Sequence, residues 1–101
     1  MSWVKMPKEA IENGLLALYD LQTPVERAVN RTLEKNRKGF DAIDAPVMTR
    51  YAKELLRVSK LSMSSMEYIK ERLWKYRKQL LELGIVSQDM IAVAEQLSLG
   101  I

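Results

Sequence analysis

The sequence predicts an all-α fold, a compact bundle of four to five helices forming a single domain over residues 1–101. Three observations predict it. Apolar residues recur at helical spacing in five segments, and helix-start and helix-stop signals bracket those segments. No segment shows the alternating pattern of period two that a half-buried strand requires.

The first helix is expected from Pro7, a residue suited to the first helical position, to about Asp20. Ala10, Ile11, Leu15, Leu18 and Tyr19 form its apolar face. Gly14 lies inside it. A glycine there costs about 1 kcal/mol relative to alanine, which suggests a close helix crossing at that point. The second helix opens on Thr23-Pro24-Val25-Glu26, a cap, a proline and a glutamate in capping-box order. It carries Val25, Ala28, Val29 and Leu33, and Gly39 is its stop.

A short loop, Phe40 to Ile43, leads to the third helix, with Asp44 expected as its cap and Pro46 in its first turn. Its apolar stripe is Val47, Met48, Tyr51, Ala52, Leu55 and Val58. The fourth helix starts in a serine cluster, where Ser64 and Glu67 make a second capping box and Ser62 is the alternative cap. It is expected to run unbroken to Leu83 and to end at Gly84, with Ile85 completing a Schellman-type cap. The fifth is capped by Ser87 and carries Met90, Ile91, Ala94 and Leu97 up to Gly100.

Composition then narrows function. The 101 residues include no cysteine and no histidine. Disulfides, thiolate nucleophiles, the commonest general base and the commonest transition-metal ligand are therefore excluded. The carboxylate pairs Asp41/Asp44 and Glu9/Glu12 have no accompanying constellation that would make a catalytic or metal site. No glycine-rich phosphate loop is present. The expectation is a non-enzymatic protein with no cofactor and no metal. No apolar run is long enough to span a bilayer, and Met1-Ser2-Trp3-Val4-Lys5 does not begin a secretory signal. A cytoplasmic protein without a membrane partner is expected.

Net charge is +3, and it is unevenly spread. Residues 24–60 carry a net +4, whereas residues 84–101 carry −2. On the second helix, Arg27, Arg31, Lys35 and Lys38 fall in one narrow stripe opposite the apolar face. Like charges at this spacing repel, which suits an anionic partner such as a phosphate backbone. The competing reading is an ordinary solvated face with cations near the negative end of the helix dipole.

The fourth helix carries two stripes. Met66, Ile69, Leu73, Tyr76, Leu80 and Leu83 repeat at intervals of 3-4-3-4-3, a heptad seam. That seam packs either within the bundle or against a second copy of the chain as a homo-oligomer. Met63, Lys70, Trp74, Arg77 and Leu81 cluster on the other side. Three readings stay open for this second stripe: a helix buried on two sides with its cations snorkelling outward, a partner-binding patch of Met63, Trp74 and Leu81, or nucleic-acid contact through Lys70 and Arg77 with Trp74 stacking on bases. Glu67, three residues before Lys70, and Glu71, four before Lys75, partly neutralise the cations of this helix and weaken the last.

Two segments resemble known families. Leu61-Ser62, Tyr68-Ile69 and Lys75-Tyr76-Arg77-Lys78-Gln79-Leu80 resemble a short helical element of phage-type and helicase-associated proteins. Ile43-Asp44-Ala45-Pro46, opening an amphipathic helix, is similar to small terminase subunits of tailed phages. Together they cover about a third of the chain, and no catalytic residue carries over. The resemblance implies a phage-like DNA-processing context.

The functional expectation is a small binding module that contacts DNA or a DNA-acting protein. Arg27, Arg31, Lys35, Lys38, Lys70 and Arg77 would take phosphates. The alternative is a protein-directed helical adaptor, inhibitor or homo-oligomeric structural subunit with no nucleic-acid contact.

Overall fold

The computed structural model describes Trp3, residues 5–22 and residues 39–99, with side chains described as far as Gln96. The expected second helix, with Arg27, Arg31, Lys35 and Lys38, lies outside the described residues. The rest is all-α. In order come α1 (Lys8–Asp20), α2 (Ala45–Val58), α3 (Met63–Leu73), a 3-10 turn (Trp74–Tyr76), α4 (Arg77–Glu82) and α5 (Gln88–Leu99). Among the described residues there is no strand, and no helix is long and apolar enough to cross a membrane.

Helix α1 is the centre of the bundle, packed against α2, α3 and α4. Pro7 stands at its cap, one residue before the position expected, and its carbonyl accepts from the Ile11 N–H. Ile11, Gly14, Leu15, Leu18 and Tyr19 bury one face. The close crossing expected at Gly14 is present. A Cβ on Gly14 would lie 3.2 Å from Leu73 and 3.3 Å from Leu80, so the missing side chain lets α3 and α4 approach.

The heptad seam is part of this core. Ile69, Leu73 and Leu80 are fully buried, and Met66 and Tyr76 nearly so; Leu83 alone is exposed. Five of the six seam residues are thus buried within the chain, so the seam packs inside the bundle, the first of its two expected roles. Its apolar surface is already removed from water by α1 and its neighbours.

Helix ends follow local rules with two exceptions. Gly84 takes φ +75°, and the Ile85 N–H reaches back to the Leu80 carbonyl while the Gly84 N–H meets that of Leu81, a Schellman closure. Ser87 Oγ accepts from the Met90 N–H to cap α5. The α3 cap is Ser62, whose Oγ accepts from the Ser65 N–H; Ser64 does not fill that role.

The larger exception lies at α2. Asp44 precedes the helix, but its side chain makes no capping bond. Asp41 caps instead: its Oδ1 accepts from the N–H groups of Ile43 and Asp44, and its carbonyl accepts from that of Ala45. The turn therefore begins three residues earlier than expected, and Asp44 is released for other partners.

Candidate functional site

The first concentration of chemistry in the described residues is the contact between the 39–44 loop and the break between α3 and α4. Asp44 is 3% exposed. Its Oδ2 accepts from the Tyr76 hydroxyl at 2.6 Å and from Lys75 Nζ at 3.3 Å, and Arg72 stands 3.7 Å from Oδ1. Lys75 also pairs with Asp41. The Tyr76 hydroxyl accepts in turn from the Asp41 N–H at 3.1 Å. One turn on, the Gln79 amide brackets Gly39: the Gly39 N–H donates to Oε1, and Nε2 donates to the Gly39 carbonyl.

This node explains the 3-10 turn. The heptad spacing runs through residues 73–80 without interruption, so local sequence favours a continuous helix. Tightening the turn at Trp74–Tyr76 places both Lys75 and Tyr76 on the carboxylates of the loop. A short 3-10 stretch inside a helix is a common response to such a tertiary demand.

The electrostatics are those of matched pairs. Burial works against ionisation of Asp41, but the Lys75 hydrogen bond and the N–H groups of Asp44 and Ile43 outweigh it and hold the carboxyl below its ordinary value. The bond to Asp41 raises Lys75. Burial, reinforced by the hydrogen bond to Asp44, pushes the Tyr76 phenol far up, so it serves as a neutral donor. Each polar group is committed to another. Among the described residues no set of three or more acidic, histidine or cysteine side chains is placed to hold a metal.

The second stripe expected on the fourth helix is divided. Trp74 is buried, meeting Trp3 edge-to-face with centroids 4.9 Å apart. Arg77 lies over the Trp74 ring at 4.7 Å and donates to the Trp74 carbonyl. The Trp74 ring is therefore a core group covered on its outer side by a cation, the first of the three readings, and offers no open platform for a base. Lys70 and Leu81 are half-buried, whereas Met63 is 86% exposed. The structure does not unite Met63, Trp74 and Leu81 in one exposed patch. A depression of about 480 Å³ beside the 3-10 turn is lined by Lys75, Tyr76, Arg77, Lys78, Gln79 and Glu82.

A further basic surface escapes the sequence reading. Arg50, Lys53 and Arg57 are all exposed on α2, opposite buried Met48, Ala52 and Leu55. At about 100° per residue they span roughly 60° of arc, with Glu54 at its margin. Their spacing of three and four was the available signal. It is masked in a charge count by Asp41 and Asp44, whose charge is directed to Lys75. No protein family, characterised protein or solved structure matches this chain.

Proposed function

We propose that this protein is a small non-enzymatic binding module that engages DNA through its phosphate backbone. The observation that carries the reading is the exposed cationic stripe Arg50, Lys53 and Arg57 on α2. Cations held on one rigid face at helical spacing suit a polyanion, and phosphate contacts dominate the affinity of such modules. The spacing of Arg27, Arg31, Lys35 and Lys38 supports the same reading from sequence. Lys78 and Arg77 at the depression beside the 3-10 turn add positive surface. At the node the buried Asp44 carboxylate and the Tyr76 phenol are bonded to each other, and Lys75 to the carboxylate, an arrangement that suits a structural fastening.

Fluorescence anisotropy with labelled single- and double-stranded DNA tests the reading. Binding in the micromolar range at about 50 mM salt is expected, with a steep loss toward about 200 mM. Replacing Arg50, Lys53 and Arg57 by glutamine should lower the salt slope by about two to three, at close to 0.9 for each phosphate no longer neutralised. Absence of binding at low salt, or a triple variant that binds like the parent, would sink the proposal.

A further inference from the structure

Two tyrosines meet where α2 packs beside α3, and neither is fully buried. The Tyr51 and Tyr68 rings stand 5.9 Å apart at 53°. Both are half-buried, packed against the core yet still in reach of solvent. At that tilt neither ring lies flat on the other. The Arg72 guanidinium lies over Tyr68, 5.3 Å from its centroid. Among the described residues no cation lies over the Tyr51 ring.

The helical wheel relates these rings to the basic stripe. At about 100° per residue, Arg50 and Arg57 fall roughly 100° and 120° to one side of Tyr51, and Lys53 roughly 160° to the same side. Val47 and Val58 lie within about 40° of Tyr51 and continue its apolar surface along α2. Glu54 is exposed in the gap between ring and cations, roughly 60° from Tyr51. On α3, Glu67 and Glu71 lie on the opposite side of Tyr68 from Arg72. The tyrosine pair thus has cations on both helices, with one exposed acid between Tyr51 and its own.

A ring open to stacking beside cations that take phosphates suits a strand whose bases are free. In a duplex the base faces are stacked on one another, whereas a single strand offers its base faces and its phosphates together. Trp74 cannot serve as this platform, because it is buried with Arg77 over its ring. From this we infer that the DNA taken by this protein is single-stranded, with a base stacked on Tyr51 and the phosphates on Arg50 and Arg57. The inference rests on the DNA reading and names the strand state that reading leaves open. Glu54 lies where base edges cross from phosphate to ring, and a carboxylate accepts from the amino groups such edges carry.

Anisotropy at about 50 mM salt compares a labelled single strand of about 12 nucleotides with an abasic strand of the same length, which keeps the phosphates and lacks the bases. The full chain should bind the single strand at least about fivefold more tightly. Tyr51→Leu should remove that difference and leave affinity for the abasic strand and for a duplex unchanged. Tyr51→Phe keeps the ring and should preserve it. Arg50→Gln combined with Arg57→Gln should weaken both strands alike. The comparison on the parent protein needs no variant, so it decides even if Tyr51→Leu fails to fold. Equal affinity for the two strands overturns the inference. So does a Tyr51→Leu protein with a native circular dichroism spectrum that keeps the difference, or that weakens on the abasic strand and duplex as much as on the single strand. In those cases phosphate binding persists and the DNA reading stands. No binding of any DNA at low salt overturns both.

Discussion

The Tyr76 hydroxyl donates to Asp44 Oδ2 at 2.6 Å, joining the break in one helix to the start of another 32 residues away in sequence. The same oxygen accepts from the Asp41 N–H, so one phenol satisfies both ends of the turn that opens α2. Phe40, fully buried, meets the Tyr76 ring edge-to-face and holds it in place. The loop that follows residue 38 is thus fastened to the bundle by an aromatic contact inside and by charged hydrogen bonds at the rim.

Tyr76→Phe isolates the polar part of that fastening. The ring and its contact with Phe40 remain, while two hydrogen bonds are removed at a largely buried site. Hydrogen bonds to charged groups contribute about 1.5–3 kcal/mol, so a loss of about 2 kcal/mol in urea unfolding is expected. A cost below about 0.5 kcal/mol would mean that water replaces the hydroxyl and that the node is not dry.

The node also sets an acid limit. Asp41 titrates below its ordinary value of 3.8 in the folded chain. The unfolded chain therefore takes up the proton first as pH falls, and folding stability declines with it. The contribution is complete above pH 3.8 by a margin and is lost as pH drops through the lowered value. Lys75 is raised above 10.5, so its contribution is present below that pH and fades as pH rises through the raised value. Asp41 is 38% exposed at its side chain, and solvent screening keeps its share below about 1 kcal/mol. Denaturant midpoints between pH 5 and 2 should fall less steeply for Asp41→Asn than for the parent. Parallel slopes would show that Lys75 does not hold that carboxyl.

Two glycines with nearly the same backbone should respond unequally to alanine. Gly39 and Gly84 have φ +78° and +75°. A Cβ at Gly84 meets nothing within 4 Å, so Gly84→Ala should cost only the left-handed conformation, about 1–2 kcal/mol. At Gly39 a Cβ would lie 2.9 Å from the Leu18 carbonyl oxygen, a backbone atom at the end of α1. Gly39→Ala should cost distinctly more, with the Gln79 bracket strained as well. Thermal melts of the two variants side by side decide it; equal losses would show that the loop retreats from α1 without penalty.

How far the sequence disclosed this arrangement depended on range. Gly84 with Ile85, Ser87 and Gly14 could be placed because the controlling interactions lie within one turn or one crossing. Asp41 and Asp44 sit three residues apart, either fits a capping rule, and the choice between them is made by Tyr76 and Lys75 more than 30 residues away. The 3-10 turn was hidden by the unbroken heptad spacing for the same reason. Gln79 gave no signal at all, because its partner is the backbone of Gly39, 40 residues distant. The basic stripe on α2 could have been found from spacing, but a charge count that treats Asp41 and Asp44 as free surface acids conceals it.

Trp74 is the remaining residue whose role the sequence left open, and its burial dictates how it must be tested. Truncating a buried tryptophan costs about 3–5 kcal/mol, a large part of the 5–15 kcal/mol that stabilises a typical domain. Trp74→Ala should therefore lower the melting temperature sharply, and any loss of binding would report on folding. Trp74→Phe keeps an aromatic ring against Trp3. A cycle of Trp74→Phe, Arg77→Gln and the double variant separates the ring contact from the cation above it. A coupling of about 0.5–1 kcal/mol between Trp74 and Arg77 is expected from the 4.7 Å approach at a partly exposed site. Coupling near zero, together with unchanged stability in Arg77→Gln, would show that Arg77 does not cover the ring in solution, and the outer side of Trp74 would then be open to a partner after all.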